Sequence, residues 1–171
     1  MKKKGMKRFV ILVMMSVFSL GVFAQKGQSS FGFNVGYGFE WKNATLGVDY
    51  RYNITDEFRL GPSITHLVKN DGLSAWVLDM NAHYVVKLSD MFGFYPLAGL
   101  SLSYWNASGY YWDLTGKASE ISANETYVGA NIGLGGEVYA TKQITVGLEV
   151  KYNIIKDMDQ ALFAVRVGYN F

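Results

Sequence analysis

Apolar and polar residues alternate with a period of two along most of the chain after residue 25, and the clearest stretch closes it. In Ala161-Leu-Phe-Ala-Val-Arg-Val-Gly-Tyr-Asn-Phe171, Ala161, Phe163, Val165, Val167, Tyr169 and Phe171 share one face. Leu162, Ala164, Arg166, Gly168 and Asn170 share the other. Successive side chains of a strand point to opposite faces, so this segment is a strand with one wholly apolar face that ends on aromatics.

Seven earlier segments repeat the pattern, near 31–41, 44–54, 58–68, 73–88, 91–105, 126–140 and 143–153. In the second, Leu46, Val48, Tyr50 and Tyr52 oppose Thr45, Gly47, Asp49, Arg51 and Asn53. In the fifth, Phe92, Phe94, Ala98, Leu100, Leu102 and Tyr104 oppose Gly93, Tyr95, Gly99, Ser101 and Ser103. Segments of about ten alternating residues separated by turns predict an all-β fold, a closed antiparallel eight-stranded up-and-down barrel crossing a membrane. Thr55-Asp56, Ser89-Asp90 and Thr141-Lys142 read as tight turns, and Trp41–Asn43, Lys69–Gly72, Asn106–Glu125 and Lys156–Gln160 as longer links. An even strand number puts both termini at the end with the tight turns.

A soluble eight-stranded barrel would turn its apolar face inward around a ligand. Here the other face carries charges and glycines, which suit a narrow interior that side chains just fill, and the apolar face is too uniform for water. Glycines at 36, 47, 61, 99, 129, 133, 135, 147 and 168 then make room for Tyr95, Tyr127, Arg51 and Arg166. Pro62 and Pro96 conflict with a sheet that has no edges, so strands three and five are expected to be irregular or short.

The first 24 residues read as a cleaved helical signal peptide. Lys2, Lys3, Lys4, Lys7 and Arg8 precede the apolar run Phe9–Phe23, and Val22-Phe23-Ala24 is an acceptable cleavage site. The run is shorter than the roughly 20 residues a spanning helix needs. Residues 25–171 are then one domain. Cleavage removes five of the 16 basic residues and none of the 14 acidic ones, so the formal +2 becomes −3. That removes any charge argument for a nucleic-acid partner. The chain has no cysteine, hence no disulfide framework, and no thiol at the cleavage site for lipid attachment.

In its strand pattern and its closing Val-Gly-Tyr-Asn-Phe171, the mature chain resembles the small outer-membrane β-barrel family that includes OmpX-like and OmpA-like barrels. The resemblance implies a bacterial outer-membrane location, with lipid and lipopolysaccharide around the barrel. It also implies that Val165, Val167, Tyr169 and Phe171 carry the signal read by the barrel-assembly machinery. It says little about activity.

Three groups of residues are candidates for function. Inward positions hold Asp49, Asp79, Glu137 and Glu149 with Arg51, Arg59, Lys87, Lys151 and Arg166, and His83 lies among them. Buried charges persist only when paired, so this set is either a network that plugs the lumen or a polar path for ions. Centring the last hairpin between Asp157 and Met158 puts Glu149 opposite Arg166. Second, Tyr110, Tyr111 and Trp112 in the longest link could meet an extracellular ligand or simply extend the hairpin above the membrane. Third, His66 faces outward, as a lipid-facing hydrolase would need, but Ser63 points inward and no acid shares that face. The reading is therefore a monomeric structural or surface-interaction barrel, not an enzyme, with no cofactor and no metal. A narrow channel is the first alternative and a lipid-modifying enzyme the second.

Overall fold

The computed structural model describes residues 26–112 and 118–171; the predicted leader at 1–24 lies outside them. The described residues form strands and turns, with no helix. The strands are β1 (Ser29–Gly38), β2 (Asn43–Asn53), β3 (Phe58–Asn70), β4 (Leu73–Tyr84), β5 (Phe92–Trp112), β6 (Ala118–Tyr139), β7 (Ile144–Ile155) and β8 (Gln160–Asn170). Each pairs antiparallel with the next, and β8 pairs with β1, which closes an eight-stranded barrel. Val86–Lys87 continues β4 beyond a break at Val85. Closure reaches the last residue, since Phe171 and Ser29 exchange backbone hydrogen bonds of 2.9 and 3.0 Å.

The barrel closes out of step. Starting at Asn53, the pairing runs through Arg59, His83, Leu97, Gly133, Lys151 and Leu162 to Gly38 of β1. Asn53 itself shares a backbone hydrogen bond with Gln28, so one circuit advances β1 by ten residues, from 28 to 38. A stagger of this kind tilts the strands and fixes the bore, leaving a small barrel just wide enough for side chains.

The faces are inverted relative to a water-soluble protein. Outward residues such as Phe31 (52% exposed), Leu100 (68%) and Val128 (75%) are apolar, whereas Asp49, Arg51, Arg59, Asp79, Glu137 and Arg166 are buried. Only a lipid environment makes that arrangement favourable, with the backbone of the band paired inside the closed sheet except at the two proline gaps described below. Aromatic pairs lie at both ends of the band: Phe58–Tyr84 near the termini and Tyr37–Phe39 at the opposite end.

Four expectations change. Lys69–Gly72 is not a long link, because Asn70 pairs with Leu73 across a tight turn. Asp71 and Gly72 both have positive φ (46° and 82°), which suits a two-residue hairpin. Asn106–Glu125 is not a loop either, since β5 and β6 stay paired as far as Trp112 and Ala118. This two-stranded ladder rises past the barrel, where β4 stops pairing with β5 at Ala107 and β7 stops pairing with β6 at Gly129. Gly72 braces its base by accepting the Ser108 N–H at 2.8 Å.

The prolines interrupt the sheet without shortening their strands. Pairing of β2 with β3 lapses opposite Pro62, and β4 breaks at Val85, beside the missing partner of Pro96. The register is unchanged on either side of both gaps, so each lost N–H costs a rung and not a bulge. The register shift in β3 lies elsewhere, between Leu67 and Asn70.

The last hairpin is also offset from its predicted centre. Arg166 pairs with Gly147, Gly168 with Thr145 and Gln160 with Asn153. The turn is set by Asp157 at φ 62°, by the Met158 N–H on the Ile155 carbonyl and by the Asp159 carboxylate on the Ile155 N–H (2.7 Å). These local bonds place the reversal one residue earlier than alternation alone suggested, which moves every cross-strand partner by two.

Candidate functional site

The lumen is the one place where the fold gathers most of the predicted residues. Asp49 and Arg51 share the inner face of β2, and the Arg51 Nε donates to Asp49 at 3.1 Å. The other Arg51 nitrogens reach across the bore, to the Tyr95 hydroxyl at 3.1 Å and to Glu149 at 2.9 Å. Tyr95 donates its own hydroxyl proton to Glu149 at 3.0 Å. Arg166 donates through Nε to both Asp49 oxygens at 2.9 Å and through Nη2 to Ser30 at 3.1 Å. Nearer the termini, the Arg59 Nη1 bridges both Glu137 oxygens at 3.0 Å, and Tyr139 donates to the same carboxylate at 2.7 Å. On the other side of the Arg51 layer Lys151 pairs with Asp79, beside the bonded amides Asn81, Asn131 and Asn153.

Four carboxylates (Asp49, Asp79, Glu137, Glu149) therefore meet four cations (Arg51, Arg59, Lys151, Arg166) across the lumen. Arginine suits this work, since its planar fork bridges several acceptors at once and carries a fixed charge. Tyr95 is the hub. It is fully buried, its ring lies 4.8 Å from the Arg59 guanidinium carbon and 5.3 Å from that of Arg51, and the His83 ring packs edge-on at 5.1 Å. Sequence reading placed Tyr95 inside as a bulky filler and missed its role. Its signal was a lone large phenol among the glycines and serines of that face.

Two predicted members are placed differently. Lys87 is exposed at the end of the short continuation of β4, past the break at Val85, and is not one of the buried charges. Glu149 and Arg166 are not partners. Glu149 lies opposite Ala164 and turns to Arg51 and Tyr95, while Asp49 takes Arg166.

Away from the termini, the bore is capped by an apolar cluster of Leu67, Ala75, Val77 and Trp105. Trp41 and Met158 from two turns pack against it, with the Trp41 and Trp105 rings 5.9 Å apart. Small cavities remain between the described residues of the lumen. One of about 40 Å³ lies beside Arg51, His83, Glu149 and Lys151, and one of about 10 Å³ lies beside Arg59, Glu137 and Arg166.

The remaining candidates sit apart from this network. His66 is half-buried on the outward side, its Nδ1 bonds the Ala75 carbonyl at 3.1 Å and its ring stacks on Trp76 at 4.4 Å. A carbonyl can only accept, so Nδ1 is the donor in this bond and Nε2 is the only ring nitrogen left to accept a proton. The backbone of Tyr110, Tyr111 and Trp112 lies in the β5–β6 ladder; their side chains are outside the described residues. Val165, Val167, Tyr169 and Phe171 all face outward and are exposed. Among the described residues no His, Asp or Glu cluster has a metal-binding arrangement.

With this geometry in hand, the comparisons with known proteins are specific about class. A family model described as outer membrane protein beta-barrel domain matches residues 10–171. The N-terminal β-barrel domain of Pseudomonas aeruginosa OprF is similar in structure, with a TM-score of 0.65 at 18% identity, over 85% of this chain and 98% of that one. Ail, the attachment invasion locus protein of Yersinia pestis, gives a TM-score of 0.57 at 14% identity, over 86% and 100%. Neisserial surface protein A gives 0.56 at 16%, over 84% and 93%. At these identities the likeness concerns the fold. A comparison with curated proteins gave no match.

Proposed function

Since the chain belongs to the outer-membrane β-barrel family, we propose that it is a non-conducting structural barrel of the bacterial outer membrane that holds a β-hairpin out at the cell surface. The observation that carries this reading is the balanced set of four carboxylates and four cations bonded across the bore. An ion passing through would have to part at least one buried pair and meet the desolvation cost of the freed charges, several kcal/mol for each. The apolar cap of Leu67, Val77 and Trp105 offers it no compensating polar contact. Exported by its leader, the barrel would keep its termini and tight turns in the periplasm. The assembly machinery would read Val165, Val167, Tyr169 and Phe171 from the strand that completes closure.

The test is single-channel recording on the protein purified from outer membranes and inserted in a planar bilayer. Silence is expected from wild type, with heat-modifiable migration on gels showing that the barrel is intact. Discrete openings that change with Glu149→Gln would replace this reading with a narrow channel.

The β5–β6 ladder supports the surface half of the proposal. Past Gly129 the outer edge of β6 has no strand beside it, and Ile121 is 58% exposed above the band. None of the network side chains named above lies between Gly109 and Ile121, so joining residues 109 and 121 by a short turn, which keeps the Ser108 brace on Gly72, is expected to leave refolding yield and heat-modifiability within error of wild type. A collapse of either would mean that the ladder is part of the barrel's stability and not a projection from it.

A further inference from the structure

The seams on either side of the β3–β4 pair are each broken once, near the end that carries the termini. The Ile54 N–H donates to the Phe58 carbonyl at 2.8 Å, so even-numbered residues carry the rungs between β2 and β3. The Leu88 N–H on the Phe92 carbonyl at 2.9 Å sets the same parity between β4 and β5. The carbonyls of Tyr50 and Tyr84 therefore face Pro62 and Pro96, whose ring nitrogens have no hydrogen to give.

Both gaps fall near one level. Pro62 pairs with Met80 and Met80 with Leu100, and Pro96 lies four residues from Leu100 toward the termini. One circuit of eight strands climbs ten residues, so two pairing steps climb between two and three and leave Pro96 within about two residues of Pro62. Below the gaps short ladders remain. Tyr52–Leu60 and Ile54–Phe58 hold one side of the pair, and Val86–Phe94 and Leu88–Phe92 hold the other. A strip bounded by two gaps can part as a unit while the rungs above it stay formed.

Little else fastens this strip. Lipid-facing hollows of about 600 Å³ lie over both prolines, so no other part of the protein backs the wall there. On the lumen side Val85 packs on Tyr95 and Leu97. Of the network side chains named above, the strip holds Arg59 and His83, and the Arg59 Nε and Nη2 and the His83 Nδ1 meet no protein partner. Its charged tie across the bore is the Arg59 Nη1 on Glu137 at 3.0 Å, with Tyr139 on the same carboxylate. Asp79–Lys151 and Asn81–Asn131 cross the bore above the gaps.

We propose that residues 58–61 of β3, together with 82–88 on the β4 side, form a flap in the barrel wall. It hinges at the two proline gaps and is latched by Arg59 on Glu137. In the orientation proposed above it faces the periplasm, so water would reach the lumen from that side under the control of one ion pair, while the apolar cap stays shut. The flap itself depends neither on that orientation nor on whether the barrel conducts.

The experiment is amide hydrogen exchange, read residue by residue by NMR on the protein in lipid nanodiscs. The Leu60 and Val86 amides cross the two broken seams, whereas Phe31 and Tyr169 cross the intact β1–β8 seam near the same end. In wild type the first two should exchange roughly tenfold faster than the second two. Glu137→Gln should speed the flap amides by roughly tenfold more than the β1–β8 pair, as expected for a lost hydrogen bond to a charged group. Pro62→Val returns an N–H to the Tyr50 carbonyl and should slow Leu60 about fivefold, and Pro96→Val should do the same for Val86. Where Glu137→Gln does not fold, the two proline variants carry the test. Equal exchange at all four amides in wild type, a Glu137→Gln effect spread evenly over them, or valine variants that leave Leu60 and Val86 unchanged would each overturn the flap.

Discussion

Arg166→Ala is expected to destabilise the barrel by about 3–5 kcal/mol, the range for removing one partner of a buried ion pair. Arg166 is 2% exposed and is, among the described residues, the only cation that engages both Asp49 oxygens. Its loss leaves that carboxylate to Arg51 and to Asn34 at 2.8 Å, with Arg51 also committed to Glu149 and Tyr95. The site cannot collapse to compensate, because Gly32 and Gly168 form the space the guanidinium fills. A Cβ added at Gly32 would fall 2.5 Å from the Arg166 Nε. Urea unfolding of the detergent-solubilised protein measures the loss, and a double-mutant cycle assigns it. Arg166 with Asp49→Ala should show strong coupling, and Arg166 with Glu149→Gln much less. The reverse order would restore the pairing that alternation alone suggests and would count against the register of the last hairpin.

The barrel was legible in the sequence because its determinants are local and repeated. Alternation at every strand fixes which side chains point inward, and one slipped residue would turn a whole apolar face into the lumen, so facing is strongly specified. Asp49, Arg51, Arg59, Asp79, Glu137 and Arg166 are all found inside as predicted. Register is another matter. A shift of two residues keeps every side chain on its own face, so alternation is blind to it. The turn around Asp157 decides it, through a positive φ and the bond from the Ile155 N–H to Asp159. That is how Arg166 could be assigned correctly to the interior and wrongly to Glu149.

The other differences also come from interactions that a single strand does not reveal. Lys87 has the inward parity of β4, but that parity loses its meaning once the strand breaks at Val85. The segment 106–125 is rich in Asn, Ser, Gly and Glu and reads as a loop, yet residues 106–112 and 118–124 stay paired because each strand supplies the other's partners. Composition describes how a segment meets water, and here it gave no warning of the ladder. Tyr95 could be placed indoors from its parity, but its partners come from β2, β4 and β7, which only closure brings together.

Gly135 provides the second large effect, through packing and not charge. It sits directly opposite Tyr95 in the pairing of β5 with β6, and a Cβ built on it would run into the phenol ring. The ring has nowhere to retreat. Its hydroxyl is tied to Arg51 and Glu149, its edge meets His83 at 5.1 Å, and the Arg51 and Arg59 guanidinium carbons lie within 5.3 Å of its centre. Gly135→Ala should therefore cost about 1–3 kcal/mol by overpacking. Gly135→Val, which adds two methyl groups beyond the alanine Cβ, should leave little heat-modifiable barrel after refolding. Tyr95→Ala is itself expected to be costly, about 3–5 kcal/mol, since it empties the middle of the lumen and strips a partner from Arg51 and Glu149. The informative measurement is the pair. In a Tyr95→Ala background the extra methyl of Gly135→Ala should be neutral or stabilising, because it fills space that the ring has left. In Tyr95→Phe, where the ring stays and only the hydroxyl is lost, its full cost should persist. Equal costs of Gly135→Ala in all three backgrounds would show that the glycine is required by the backbone of β6 and not by the ring, and Tyr95 would no longer be the residue around which this lumen is built.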